Sequence, residues 1–169
     1  MKIKKLVIAS GLILLTACAT TEDKPIAVKP MPATTIFQTN IASTPNIEIN
    51  NGCIAYTVIE QNIMTGFTAR YFETNKDTAI NVPEQQNECI AQVLKQYPLT
   101  LELQGFTDGT GAKSYNKKLA QRRAGSVKKE LLTYLIKTDQ LMVVNIGKVL
   151  ISNDKKMDSL NRRVNLTIK

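Results

Sequence analysis

The sequence predicts an α+β fold with the element order β-α-β-α-β-β, a sandwich in which two helices pack on one sheet. Apolar and polar side chains alternate over residues 99–104 and 164–168, which is the pattern of strands. Before each of these segments, apolar residues recur at spacings of three and four, which is the pattern of amphipathic helices. The length of 169 residues fits one such domain preceded by a signal and a linker.

The first half of the globular part predicts two strands and one helix. The strands are expected at Cys53 to Ile59 and at Thr68 to Phe72, and a polar loop over residues 73–77 follows the second. The helix is expected to begin at Pro83, since proline suits a first helical turn, and to end before Pro98. Its apolar face consists of Ile90, Val93, Leu94 and Tyr97.

The second half begins with the half-buried strand over residues 99–104, which leads into a glycine turn at 108–111. A longer helix is expected from about Tyr115 to Ile136, and a strand over Met142 to Ile146 follows it and ends at Gly147. The last strand covers residues 164–168. The buried stripe of the longer helix is predicted to be Leu119, Ala120, Ala124, Val127, Leu131 and Leu135.

Residues 1–17 have the features of a secretory signal. A basic start precedes an apolar core, Leu6 to Leu15, which is too short to span a bilayer. The core ends in Leu-Thr-Ala-Cys, which resembles the lipobox of bacterial lipoproteins and implies that Cys18 is lipidated with acyl chains such as palmitate. By analogy, Ala19 after that cysteine implies the outer membrane. The alternative is an ordinary signal cut after Ala19.

Composition divides the rest of the chain into two parts. Residues 18–47 are rich in Pro, Thr and Ala and lack periodicity, so the lipidated cysteine and a flexible tether are expected there. Residues 48–169 form the predicted globular domain. The net charge of +8 includes three signal lysines, which leaves +5 spread along the mature chain. Without a basic run interleaved with aromatics, nucleic acid is not an expected partner.

The two remaining cysteines, Cys53 and Cys89, predict a structural disulfide in the oxidising periplasm. On the chain-entropy model such a bond stabilises by roughly 3–4 kcal/mol. The alternative is two buried thiols. Their spacing matches no zinc or redox motif, and the sequence contains no histidine. Ser-His and Cys-His catalysis and most zinc sites are therefore excluded, and no cofactor or metal is expected.

A carboxylate and a guanidinium flank the glycine turn. Asp108 follows the apolar strand, and Arg123 lies inside the helix after the turn. Together such groups can hold a zwitterion, because a carboxylate accepts from an ammonium and a guanidinium donates a bidentate fork to a carboxylate. In the alternative, Asp108 and Arg123 pair only with each other, which contributes about 0–1 kcal/mol when exposed.

The residues around this pair resemble the OmpA-like C-terminal domain family, which binds peptidoglycan non-covalently. The resemblance covers about residues 68–169, and the signal, tether and domain follow one another as in the family's peptidoglycan-associated lipoproteins. Phe106 stands where the family commonly has histidine, and residues 152–160 match poorly. The matching motifs are Gly-Phe-Thr-Asp at 105–108, Tyr115-Asn116, Leu119-Ala120, Arg123-Ala124 and Asn-Arg-Arg-Val at 161–164.

The resemblance implies a binding site for the side-chain end of diaminopimelate in the wall peptide. The family's Asp and Arg hold this group, and they correspond to Asp108 and Arg123. Leu119 matches a pocket position but fits plain helix core equally well. Arg162 and Arg163 are expected to brace helix and strand ends, and the alternative is that they bind ligand. The further ligand residues implied are Thr107, Asn116 and, in the loop that supplies backbone donors, Asn75 with its neighbours Thr74 and Lys76.

The expected function is peptidoglycan binding by a lipid-anchored outer-membrane protein whose domain faces the periplasm. Its partners would be peptidoglycan and the outer membrane. The alternative is an anchoring component of a secretion, motility or Tol-type complex, with envelope proteins as further partners. Residues 48–67 would then be a docking element, or otherwise an extra strand pinned by the disulfide. An enzyme is not expected, because a wall hydrolase needs two facing carboxylates and the Asp108 motif supplies one.

Overall fold

The computed structural model describes residues 34–38, 46–147 and 149–169. The predicted signal and Cys18 lie outside the described residues, and among the helices that are described none is long and apolar enough to cross a membrane. The elements in chain order are β1 (Thr34–Phe37), β2 (Ile47–Asn50), β3 (Thr57–Glu60), β4 (Ile63–Phe72), β5 (Ala79–Ile80), α1 (Glu84–Gln96), β6 (Leu101–Phe106), α2 (Lys113–Leu132), β7 (Leu141–Gly147), α3 (Asp158–Asn161) and β8 (Arg163–Ile168).

Within the described residues, six strands form one sheet in the order β3-β4-β8-β6-β7, and β5 pairs with β4. Strand β6 is parallel to β7 and antiparallel to β8, and β4 is antiparallel to β3, β5 and β8. The succession β4-α1-β6-α2-β7-β8 confirms the predicted β-α-β-α-β-β order. Strands β1 and β2 form a separate antiparallel pair.

Helix α2 approaches β6 closely because Gly105 has no side chain. A Cβ placed on Gly105 would lie 2.1 Å from the Ala120 carbonyl oxygen, so any larger residue would collide with the helix backbone. The leucines at 101 and 103 and the buried face of α2 complete the contact with the core. This packing fixes the distance between the end of β6 and the middle of α2, the two places that carry Asp108 and Arg123.

A buried polar cluster joins β4 to both long helices. The Arg70 guanidinium donates from Nη1 to Glu130 Oε2 at 2.8 Å and from Nη2 to Asn87 Oδ1. Asn87 Nδ2 donates to Glu130 Oε1 at 2.7 Å and closes the cluster. Burial lowers the pKa of Arg70, and Glu130 opposes that shift. The cluster orients the helices, since leaving the buried Arg70 or Asn87 side chain unpaired is costly.

The strand predicted over Cys53 to Ile59 begins later than expected. Residues Asn51–Tyr56 form a 3-10 helix, and the strand β3 covers Thr57–Glu60. Asn50 starts the 3-10 helix by accepting a hydrogen bond from the Gly52 N–H on its side-chain oxygen at 2.9 Å. Within this helix Cys53 is disulfide-bonded to Cys89 of α1, with a Cα–Cα distance of 5.5 Å.

Three further expectations are corrected. Thr34–Phe37, expected in the flexible tether, is strand β1, because it pairs with β2 and buries Phe37 in the core. Helix α2 ends at Leu132, whereas the prediction extended it to Ile136. Leu135, predicted to belong to the buried stripe, is 80% exposed, because its backbone has a φ of 61° after the helix has ended. Ile136 is buried instead.

Candidate functional site

Strand register brings the site residues together at one end of the sheet, where three inner strands begin or finish. Tyr71 pairs with Arg163, and Gly105 pairs with Val164, so the ends of β4 and β6 lie beside the start of β8. Asp108 follows β6 by two residues, and Arg162 immediately precedes β8. The loop after β4, residues 73–77, and the first half of α2 lie around them and define the proposed binding cleft.

Asp108 is held as a carboxylate by groups from two segments. Its Oδ1 accepts from the backbone N–H of Thr110 at 3.2 Å and from the Thr110 hydroxyl, and its Oδ2 accepts from Arg162 Nη1 at 3.1 Å. Burial disfavours the charged form, but the hydrogen bonds from Thr110 and Arg162 outweigh burial. The pKa of Asp108 therefore lies below its usual value, and the side chain is an anion at neutral pH.

Arg123 organises the loop after β4. Its guanidinium is 0% exposed and donates to three backbone carbonyls: from Nε to Lys76 at 2.9 Å, from Nη1 to Phe106 at 3.0 Å and from Nη2 to Glu73 at 3.0 Å. It also lies over the Phe72 ring, 5.1 Å from the centroid. Burial lowers its pKa to about 10, while the charge of Asp108 opposes that shift. The side chain is therefore still a cation at neutral pH.

Asp108 and Arg123 are not hydrogen-bonded to each other. Asp108 forms its ion pair with Arg162, and Arg123 bonds to carbonyl groups. Their separate partners leave binding capacity on both groups. A guanidinium has five N–H groups, of which Arg123 uses three here, and a carboxylate has about four lone-pair sites, of which Asp108 uses three.

The remaining predicted residues surround this pair at different depths. Asn116 is buried and donates from Nδ2 to the Thr110 carbonyl at 2.7 Å, which closes the glycine turn. Thr107 donates its backbone N–H to Gly147 at 3.0 Å, and its buried hydroxyl has no hydrogen-bond partner among the described residues. Leu119 is buried, whereas Asn75 is exposed and has a φ of 59°.

Several site residues were missing from the sequence prediction or were given a smaller role. Arg162 braces the strand ends as expected, since its Nε donates to the Phe72 carbonyl at 3.0 Å, but it is also the ion-pair partner of Asp108. Thr110 holds the other carboxylate oxygen. The Asp-x-Thr spacing is a sequence signal for this contact, because Asp side chains often bond to the residue two positions later. Tyr115, half exposed, hydrogen-bonds to Asn75 at 3.5 Å and forms the rim.

The fold and the site define a class: an α+β domain in which a buried carboxylate just after β6 lies near a buried guanidinium of α2. Comparison with known proteins identifies the family. The profile of the OmpA family matches residues 71–164, more than half of the chain. The chain therefore belongs to the OmpA family, which confirms the resemblance seen in the sequence motifs.

Individual relatives agree with this assignment. The peptidoglycan-associated lipoprotein of Pseudomonas putida is 29% identical over 120 residues, which cover 69% of this chain and 72% of the relative. The crystal structure of the peptidoglycan-associated lipoprotein from Burkholderia pseudomallei has a TM-score of 0.56 and 28% identity, covering 60% of this chain and 89% of the other. The crystal structure of the C-terminal domain of Helicobacter pylori MotB has a TM-score of 0.52 and 26% identity, covering 62% of this chain and 85% of the other.

Proposed function

We propose that this protein binds peptidoglycan non-covalently and anchors the outer membrane to it. The observation that carries the proposal is the cleft at the strand ends, where ionised Asp108 and cationic Arg123 lie in an OmpA family domain. Similar proteins are named peptidoglycan-associated lipoproteins, which supports the choice of partner. The proposed role is binding rather than catalysis, because a wall hydrolase needs two facing carboxylates and the Asp108 motif supplies one.

The ligand group in this proposal is the side-chain end of diaminopimelate. That carbon carries an ammonium and a carboxylate, so it presents both charges that the cleft complements. Asp108 accepts from the ammonium, and the buried positive charge of Arg123 attracts the carboxylate from behind the loop that it holds. Thr107, Asn116 and Leu119 shape the pocket, and Asn75 with its loop neighbours supplies the rim. Arg123 contributes twice, since its bonds to Glu73 and Lys76 also hold that loop in position.

The membrane end of the proposed function depends on Cys18. Acylation there would hold the protein in the outer membrane, and two or more chains give stable anchoring where one does not. The segment that follows would let the domain reach the wall. Because the wall is then present at a high local concentration, a weak pocket would suffice for continuous attachment.

Co-sedimentation with insoluble peptidoglycan tests the wall-binding part. The full chain, purified in detergent, should pellet with peptidoglycan, and free meso-diaminopimelate should release it. Asp108→Asn keeps the shape of the side chain but removes its charge, and it should stay in the supernatant. Asp139→Asn is the matched control, because Asp139 is exposed and lies just before β7, whose start pairs with the start of β6, at the opposite end of the sheet from Asp108. Equal pelleting of Asp108→Asn and wild type would refute the diaminopimelate assignment.

Membrane fractionation tests the anchor separately. Wild type should incorporate labelled palmitate and sediment with outer membranes, whereas Cys18→Ser should do neither. Palmitate in Cys18→Ser would contradict the lipobox assignment, whatever the result for peptidoglycan.

A second candidate function is anchoring a larger envelope complex. The similarity to MotB and the position of β3 favour it, because β3 is an edge strand of the described sheet and lies within residues 48–67. An edge strand offers free backbone groups to a partner. A photo-crosslinker at Glu60 should then capture one defined envelope protein in cells, and one at exposed Lys118 should not. Capture of peptidoglycan alone would argue for the tether function.

A further inference from the structure

A groove of about 340 Å³ adjoins the diaminopimelate cleft on the side of α2 and β7. Its lining consists of Gly111, Lys113, Lys117, Ile146 and Gly147. The groove lies close to Asp108, because Thr107, the residue before Asp108, donates its backbone N–H at 3.0 Å to Gly147 of the groove lining. A peptide held at Asp108 is therefore within reach of it.

Two lysines give this groove a positive charge without a counter-ion. Lys113 and Lys117 are both exposed, neither forms an ion pair or hydrogen bond among the described residues, and no acidic side chain lines the groove. They are four residues apart on α2, a spacing at which like charges on a helix repel. Lys113 is also the first residue of the helix, where a cation is disfavoured by the helix dipole. An anion in the groove would relieve both effects.

The opposite wall is formed by backbone and an apolar side chain. Gly147 has a φ of 75°, and a Cβ placed on it would lie 3.8 Å from Lys117 Cα, so a side chain there would fill the space beside Lys117. Ile146 is partly exposed and offers an apolar surface. The groove thus suits a chain segment with a small apolar part and a carboxylate.

We propose that Lys113 and Lys117 bind the free carboxylate of the glutamyl residue next to diaminopimelate in the wall peptide. This inference rests on the proposed function, since it assumes that the diaminopimelate side chain lies at Asp108. It adds a specificity determinant: the protein would favour wall peptides with a free glutamyl carboxylate over those in which that group is amidated. Two exposed lysines in a shallow groove should supply about a three- to ten-fold preference.

Titration calorimetry of the full chain in detergent tests the inference with three probes. These are free meso-diaminopimelate, the tripeptide L-Ala-γ-D-Glu-meso-diaminopimelate, and the same tripeptide with its glutamyl carboxylate amidated. Wild type should bind the acid tripeptide three- to ten-fold more tightly than the amide. The double variant Lys113→Ala/Lys117→Ala should bind both tripeptides with the affinity that wild type has for the amidated tripeptide. Its affinity for free diaminopimelate should be unchanged. Lys118→Ala, an exposed lysine outside the groove, is the control and should keep the preference.

The outcomes separate this inference from the function on which it rests. Binding of all three probes with equal affinity for acid and amide would overturn the lysine assignment and leave the diaminopimelate site intact. A preference that survives in the double variant would also overturn it, because the carboxylate would then bind elsewhere. Failure of all three probes to bind would refute the proposed function itself.

Discussion

Replacing Gly105 by alanine should damage both stability and ligand binding. The new Cβ would lie 2.1 Å from the Ala120 carbonyl oxygen and 2.7 Å from its carbon, and both are backbone atoms. Neither can rotate away, so α2 must move by about 1 Å to restore normal contact. Overpacking of this kind costs about 1–3 kcal/mol, and the upper half of that range is expected because backbone is involved on both sides. Urea unfolding followed by circular dichroism, without reductant, measures the loss.

Gly125, in helix α2, provides a matched control, because its replacement by alanine should change stability in the opposite direction. A Cβ there meets no atom within 4 Å, so the only effect of Gly125→Ala is the reduced helix cost of alanine. It should stabilise the protein by about 0.5–1 kcal/mol. Because Gly105→Ala shifts Arg123 relative to Asp108, it should also weaken diaminopimelate binding, whereas Gly125→Ala should not. If Gly105→Ala had the same free energy of unfolding as wild type, the close approach of α2 to β6 would be refuted.

Three further predictions concern charge and cross-linking. The pKa of Asp108 is lower in the folded state, so its contribution to stability is complete above the unfolded value of 3.8 and is lost as pH falls through the folded value. Asp108→Asn should therefore lower the free energy of unfolding by about 1.5–3 kcal/mol at pH 7, and this difference should shrink at pH values well below 3.8; a constant difference would contradict the assignment. Replacing Cys53 and Cys89 by serine removes a cross-link across 36 residues and should lower the free energy of unfolding by about 3–4 kcal/mol. Under reducing conditions, wild type and variant should have the same free energy of unfolding. Lys113→Ala/Lys117→Ala should stabilise the unliganded protein by about 0.3–1 kcal/mol in low salt and by less in high salt, and a destabilised variant would mean that these lysines have protein partners.

Local sequence patterns predicted the part of the fold that forms the site. The alternation over residues 99–104 and the spacing in α2 reflect burial against one sheet, so strand, turn and helix appeared nearly where they are. The positions of Asp108 and Arg123 followed from that order. Even so, alternation suggested a half-buried β6, whereas Glu102 is only 8% exposed. A central strand with neighbours on both sides is covered more completely than its own pattern indicates.

Long-range contacts account for what the patterns missed. Thr34–Phe37 has no periodicity of its own and becomes a strand because Ile47–Asn50 lies beside it. The ion pair between Arg162 and Asp108 joins residues 54 positions apart, which no local pattern encodes. Leu135 continues the helical spacing, but the helix has already ended three residues earlier. In each case a partner distant in sequence, or a chain reversal, decided the outcome.

The contacts of Arg123 organise the proposed binding cleft before any ligand arrives. Its three bonds tie the loop after β4, the end of β6 and the middle of α2 to one buried guanidinium. A loop already held in this way loses little conformational freedom when a ligand arrives, and such preorganisation improves affinity. The same contacts mean that removing Arg123 would disturb the loop as well as the ligand contact. The charge of Asp108, which can be removed without changing the side chain's shape, is therefore the more discriminating target.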